Sequence, residues 1–257
     1  MNGNIYSETP LFPFLHDVHS QNGEDGIVEE ILIRLYGSSE LKGEEFANTC
    51  VEFGAWDGIH LSNTFNLVEN KGWNAIYIEG DELKFRDLLK TCTQHPRITP
   101  YCGYVSAESE SRYSLDNILK ETGCPKEFQL LSIDIDSYDL EIWESLVEFA
   151  PDIVIIEINS TFPPGIELRQ CSPKGGSTFS ATLKVAHAKG YELVCHTGNL
   201  FFVKRELIQR INLPERYLMY PELLFRTDWL NKSAHEISSK KMVKELIQRV
   251  VKTRLSR

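Results

Sequence analysis

Two short apolar runs, each closed by an acid, are spaced to hold a nucleotide-like ligand. Val51-Glu52-Phe53 runs into Gly54-Ala55-Trp56-Asp57-Gly58. A second run, Ala75-Ile76-Tyr77-Ile78, ends in Glu79-Gly80, with Glu79 falling 21 residues after Gly58. At the carboxyl edge of a parallel sheet, glycines let the backbone approach a ligand, and an acid on the next strand accepts hydrogen bonds from ribose hydroxyls. Glu52, Gly54, Ala55, Asp57, Gly58, Glu79 and Gly80 are therefore the expected ligand-binding set. The plainer alternative is an ordinary strand and turn with surface acids.

The charge of the turn selects among nucleotides. Its pattern is E-x-G-x-x-x-G, without the third glycine of a dinucleotide fingerprint. Dinucleotide folds seat a pyrophosphate on a helix N-terminus. Glu52 and Asp57 would repel that anion and suit a cationic ligand end, such as the amino acid portion of S-adenosylmethionine.

These segments carry a resemblance. Val51 to Gly58, Tyr77 to Asp81 and Leu130 to Asp136 resemble the successive motifs of class I S-adenosylmethionine-dependent methyltransferases. Within that class the chain is similar to the FkbM-like family over roughly residues 20–204, through Ser20-Gln21-Asn22-Gly23-Glu24-Asp25-Gly26 and Ser132-Ile133-Asp134-Ile135-Asp136. The resemblance implies an adenine site at Gly103 and Tyr104, and a region around Gln21, Glu24 and Asp25 that folds over cofactor or substrate. Read without it, that last region is a helix cap.

Stepping along the chain gives the elements that must position these groups. Strands are expected at 50–54, 75–79, 98–105, 130–135 and 153–158, with helices at 20–37, 63–69, 83–92, 114–121, 140–149 and 178–189. Tyr191 to His196 and Asn199 to Lys204, parted by Thr197-Gly198, read as a hairpin. The expected fold is α/β: a doubly wound, mostly parallel seven-stranded sheet with helices on both faces and an antiparallel C-terminal hairpin. The expected divisions are an arm and helix (1–45), the cofactor-binding domain (46–206) and an extension with a basic helix (207–257). One large α/β domain is in keeping with 257 residues, 42% of them hydrophobic.

Along the carboxyl edge, Asp134 and Asp136 share one side of an extended chain, and Glu157 and Asn159 repeat the spacing one strand on. Three carboxylates and an amide so close need a cation or a proton, so Mg²⁺ or Mn²⁺ is a candidate ligand. The set is similar to metal-dependent O-methyltransferases, except that their acid–amide pair is usually adjacent in sequence. Otherwise, Asp134 or Asp136 holds cofactor or caps the next helix. Asp136, His60 and His196 are the candidate bases for an acceptor hydroxyl. Residues 160–177, with three prolines and three glycines, form a long functional-type loop. Its Arg169 and Lys174 are candidates to hold a substrate phosphate or carboxylate, or are solvated loop charges.

The net charge is −10. Residues 231–257 hold eight Lys/Arg against two Glu, so this tail is +6 and the body −16. A body this acidic disfavours nucleic acid as partner; the tail reads as a helix face packed on its own domain. Six scattered cysteines without a C-x-x-C, no basic-then-apolar N-terminus and no apolar run of spanning length point to a cytoplasmic protein. A homodimer is a mild expectation. The expected activity is O-methylation of a small polar molecule, with the resemblance implying a sugar, nucleotide-sugar or related metabolite of polysaccharide or natural-product assembly. The competing readings are an NAD-dependent oxidoreductase, a non-catalytic binding protein on the same fold, and an RNA methyltransferase using the tail.

Overall fold

Strand formation follows the apolar runs. In the computed structural model, which describes residues 9–38, 48–135, 137–170 and 175–227, seven strands form one sheet: β1 Thr49–Phe53, β2 Asn74–Glu79, β3 Ile98–Cys102, β4 Leu130–Ile133, β5 Ile153–Glu157, β6 Tyr191–His196 and β7 Asn199–Lys204. Their order is β3-β2-β1-β4-β5-β7-β6. The first five run parallel, while β7 pairs antiparallel with both β5 and β6. This is the doubly wound sheet with an antiparallel hairpin that the sequence implies. Central strands β1 and β4 are buried at every position, as strands covered by helices on both faces require.

The helices are α1 Glu24–Tyr36, α2 Phe65–Lys71, α3 Glu82–Gln94, α4 Leu115–Glu121, α5 Asp139–Ser145, α6 Phe179–Ala188, α7 Ile208–Ile211 and α8 Glu215–Met219. In α1 the apolar positions recur at helical spacing. Ile27, Val28, Ile31, Leu32 and Leu35 are all buried against the core, each worth about 1.5–3 kcal/mol relative to exposure. The described residues up to Phe225 belong to one compact unit, and Arg226–Arg257 is a second. The expected divisions at 45 and 206 are not boundaries of compactness. Arg34 donates to Ile211 O, and Arg210 to Leu35 O, stitching α1 to the segment after β7. The basic tail lies outside the described residues, apart from the start of its unit. Among the described residues, no helix is long and apolar enough to cross a membrane.

Where elements stop differently from expectation, a carboxylate intervenes. α1 begins at Glu24 rather than Ser20 because residues 17–23 wrap around acids: Asp25 Oδ2 accepts the N–H groups of Val18, His19 and Ser20, each at 2.8 Å. β4 ends at Ile133 because Asp139 accepts Ile135 N and Ser137 N, turning the chain. α5 ends at Ser145 rather than 149 because Asp116 takes Val147 N and Glu148 N out of helical bonding. Asp81 caps α3 through Leu83 N and Lys84 N, a bond pair that lowers its pKa.

The crossing of β1 into its loop admits only glycine. Gly54 has φ +82°, and a Cβ there would lie 1.8 Å from Asp134 O. Gly54→Ala is expected to cost about 2 kcal/mol or more, read as a lower urea midpoint with an unchanged slope. An unaltered midpoint would show that the β1–β4 approach relaxes freely.

Candidate active site

At the carboxyl ends of β1 to β4 lies a cleft of about 510 Å³, a size suited to a small ligand. Gly54 comes from the β1 loop; Glu79, Gly80, Asp81 and Lys84 come from the β2 end and the first turn of α3. Gly103 and Tyr104 follow β3; Asp134, Ser137 and Tyr138 follow β4. Gly80 sits under the Tyr104 ring, whose carbons would lie 2.4–2.8 Å from any Cβ there. A larger, more open depression of about 830 Å³ occurs at the other end of the sheet. Its cations are already engaged: Lys189 with Leu146 O, Lys204 with Asp152 and Arg205 with Glu192. The smaller cleft is therefore the candidate site.

Of the residues expected to bind a cofactor, Gly54, Glu79, Gly80, Gly103, Tyr104 and Asp134 line this cleft. Glu52, Ala55, Asp57 and Gly58 do not; they hold the loop that does. Gly54 N and Ala55 N both donate to Ile78 O. Trp56 N donates to Glu79 Oε2 at 2.8 Å, and Asp81 N to Glu79 Oε1 at 2.7 Å. Asp57 Oδ1 accepts Ile59 N and His60 N. Gly58 packs beside Leu88 and Tyr77. The loop's N–H groups are thus largely consumed within the protein. The chain also enters α2 only at Phe65, eleven residues beyond Gly54. A pyrophosphate needs the reverse: open N–H groups at a helix N-terminus directly after the glycine turn.

Glu52 is buried below the loop and accepts from Ser62 Oγ at 2.6 Å, from Asn63 N at 3.2 Å and from Thr64 Oγ1. Tyr77 Oη lies 2.9 Å from Thr64 Oγ1, and Asn63 Nδ2 donates to Ser132 Oγ at 3.1 Å. Burial pushes the Glu52 carboxyl above its ordinary value of 4.5, against three hydrogen bonds that pull it down. Glu52 is a brace between β1, the loop and β4, not a ligand of the cleft.

Of the expected metal set, Asp134, Glu157 and Asn159 fall within the described residues. Among the described residues, no group of three or more His, Cys, Asp or Glu is placed to hold an ion. Asn159 Oδ1 accepts from Thr161 N and Thr161 Oγ1, and its Nδ2 donates to Gly175 O, so this amide serves its own loop. Glu157 ends β5 opposite Asn199. Asp136 lies outside the described residues.

The histidines are also placed otherwise than expected of bases. His196 is fully buried, with Nε2 3.0 Å from Ser160 Oγ and its ring stacked on Phe225 at 5.2 Å. A ring sealed this way cannot meet an acceptor hydroxyl. His60 is exposed, edge-on to Trp56 at 5.3 Å, and lies outside the residues lining the cleft.

Two expected substrate contacts are internal. Glu24 is buried, accepting from Thr197 Oγ1 and Asn22 N, each at 2.6 Å. Arg169 binds Glu141 at 3.1 Å and also Glu144, clasping the 160–170 segment to α5. Gln21 is exposed. Lys174 lies outside the described residues. Sequence reasoning missed Lys84 and Tyr138 in the cleft. The available signal was position: each falls within a turn of the start of a helix that follows a parallel strand.

No protein-family model matches the chain, and no curated protein does. Among solved structures it is similar to the N-terminal domain of EvdMO1 in the presence of SAH and D-fucose, at 12% identity and a TM-score of 0.44, covering 74% of this chain and 85% of that one. It is also similar to the citrinin polyketide synthase CMeT domain, at 10% identity and a TM-score of 0.47, covering 71% of this chain and 51% of that one. A third likeness is to an O-methyltransferase family protein from Burkholderia thailandensis, at 10% identity and a TM-score of 0.41, covering 70% of this chain and 58% of that one. These likenesses are distant, and the functional reading rests on the site itself.

The Glu52 brace gives a pH signature. Because its folded pKa is raised, its contribution to stability is fully present below the unfolded value near 4.5 and is lost as pH rises through the folded value. Urea unfolding between pH 4 and 8 should show Glu52→Gln gaining on the wild type as pH rises. Glu52→Ala should lose about 3 kcal/mol at pH 4, since three donors lose their acceptor, and that loss should shrink as pH rises. A pH-independent difference between Glu52→Gln and the wild type would contradict the assignment.

Proposed function

We propose that the chain is an S-adenosylmethionine-dependent methyltransferase that methylates a hydroxyl of a small molecule. The observation that carries this reading is the loop after β1. It brings Gly54 to the cleft while spending its N–H groups on Ile78, Glu79, Asp57 and Glu52. Such a loop offers close backbone approach without a phosphate cradle. Among its described lining residues the cleft carries the carboxylates Glu79, Asp81 and Asp134 against a single cation, Lys84. That balance favours a ligand with a positive end over an anionic dinucleotide.

The residues present fit the cofactor. Glu79, at the end of β2, is assigned to the ribose hydroxyls, and Gly103 and Tyr104, which line the β3 end of the cleft, to the flat base. When bound, the cofactor supplies a methyl group on a sulfonium: the acceptor oxygen forms the new O–C bond as the C–S bond breaks. The protein has little covalent work in such a displacement and contributes mainly alignment and exclusion of water. Asp134, lining the β4 end of the cleft, is the described carboxylate assigned to take the hydroxyl proton. No step requires a metal. The FkbM-like subfamily and a cytoplasmic site of action stay part of this proposal on the sequence motifs and composition alone.

Thermal unfolding with S-adenosylhomocysteine and with NAD separates the two cofactor classes. At a hundredfold excess over Kd, the bound form is stabilised by about 2.7 kcal/mol, a rise of about 5–10 °C for a chain of this size. The rise is expected with S-adenosylhomocysteine only, and is expected to vanish in Glu79→Ala with the circular dichroism spectrum retained. A rise with NAD alone would overturn the reading in favour of an oxidoreductase; a rise with neither would favour a non-catalytic binding protein.

A further inference from the structure

Glu79 has more acceptor capacity than the loops use. Its Oε2 accepts Trp56 N at 2.8 Å and its Oε1 accepts Asp81 N at 2.7 Å. An ionised carboxylate offers about four lone-pair sites, so each oxygen can accept once more in the cleft that Glu79 lines. Hydroxyl hydrogens suit such acceptors. A hydroxyl that gives its hydrogen to an acid still has lone pairs on its oxygen. A diol held only by Glu79 would leave those oxygens without a donor, which is costly in a site that excludes water.

The first turn of α3 supplies a donor in the same cleft. Lys84 lines it together with Glu79, and its Nζ rests 4.7 Å over the Trp56 ring. A ring face attracts an ammonium electrostatically without consuming its three N–H donors. Trp56 makes this contact at a cost. Its φ is +48°, a conformation unfavourable for a bulky side chain. Its side chain is also 43% exposed, so burial does little to offset that cost. Two contacts hold it. Glu79 Oε2 takes its backbone N–H, and the His60 ring meets the indole edge-on at 5.3 Å. His60 is fixed in turn through its own N–H on Asp57 Oδ1. Glu79 thus fixes Trp56, and Trp56 holds Lys84. Held over the ring, the ammonium is kept from collapsing onto Glu79 or Asp81, a pairing that would fill the ligand position and spend the donors.

We propose that Lys84 completes the ribose site, its ammonium donating to an oxygen of the diol whose hydroxyl hydrogens go to Glu79, and that Trp56 is the positioning residue that holds the ammonium in place. This rests on the methyltransferase reading, which assigns Glu79 to the ribose. The diol is then read from two sides, by an acceptor that is anionic and a donor that is cationic. Both are charge-assisted contacts, stronger than neutral ones. The site therefore selects a nucleoside by its hydroxyls as well as by its base, and the strained Trp56 is the part of the β1 loop that adds this selectivity.

The test uses the full chain and calorimetric titration of S-adenosylhomocysteine and of its 2′-deoxy and 3′-deoxy forms. Lys84→Met keeps the hydrocarbon stem and the helix propensity while removing the donors. It should weaken S-adenosylhomocysteine about tenfold, as the loss of a charge-assisted hydrogen bond does. It should weaken one of the deoxy forms by less than about twofold, because the oxygen it served is already gone. Trp56→Ala should weaken S-adenosylhomocysteine in the wild type and add nothing in Lys84→Met, since Trp56 acts through Lys84. Trp56→Phe, which keeps a ring face, should restore most of the affinity. If Trp56→Ala folds poorly, Lys84→Met with the two deoxy forms decides the matter alone. Unchanged S-adenosylhomocysteine affinity in Lys84→Met, equal losses for all three ligands, or a Trp56→Ala loss that persists in full in Lys84→Met would each overturn the proposal while leaving the cofactor reading intact. Failure of the wild type to bind S-adenosylhomocysteine would remove the reading beneath it as well.

Discussion

The loop between β1 and α2 has to leave the sheet, return to it, and keep its backbone polar groups satisfied without regular structure. Three carboxylates meet that demand. Glu79 takes Trp56 N from one side and Asp81 N from the other, so one side chain fixes both the β1 loop and the start of α3. Asp57 closes the tip, and Glu52 anchors the return through Ser62, Asn63 and Thr64. An unpaired buried N–H costs roughly 1–3 kcal/mol, so each acid matters to a loop with no ladder of its own. The cleft is the space this arrangement leaves above β1 and β2, and two of the acids that line it, Glu79 and Asp81, also hold its backbone.

The same device recurs across the carboxyl edge. Asp25 gathers the turn before α1, Asp139 turns the chain after β4, and Asn159 holds the start of the β5 loop. Acidic and amide side chains that read as ligands in a linear sequence act here as local caps. Only Glu79, Asp81 and Asp134 among the described acids reach the cleft, and Glu79 does so while serving the backbone. The body's strongly negative charge is thus partly a consequence of how its loops are closed.

On the far side of β4, electrostatics and packing divide the work differently. Arg169 is spent on joining a loop to α5, and the apolar residues near it are left facing outward. An arginine held by two carboxylates contributes geometry instead of anion binding.

By itself the sequence determined the sheet, its direction and its hairpin. The apolar runs around Val51, Ile76, Leu131 and Ile155 are long enough for strands and too short for helices, and the interleaved helical periods admit one doubly wound arrangement. The hairpin bounds, 191–196 and 199–204, were legible to the residue because Thr197-Gly198 marks the turn. It also marked Gly54, Glu79 and Asp134 as cleft residues, because acids and glycines at strand ends have few other places to point. Only the tertiary structure decided that Glu52, Glu24 and His196 are buried braces, that Asn159 serves its loop, and that Arg169 is neutralised by α5. The physical reason is that a polar side chain's role is fixed by its partners, and those of Glu24 and Arg169 lie 173 and 28 or fewer residues away. Spacing in the chain states which face a residue occupies; it does not state which donor or acceptor reaches it first.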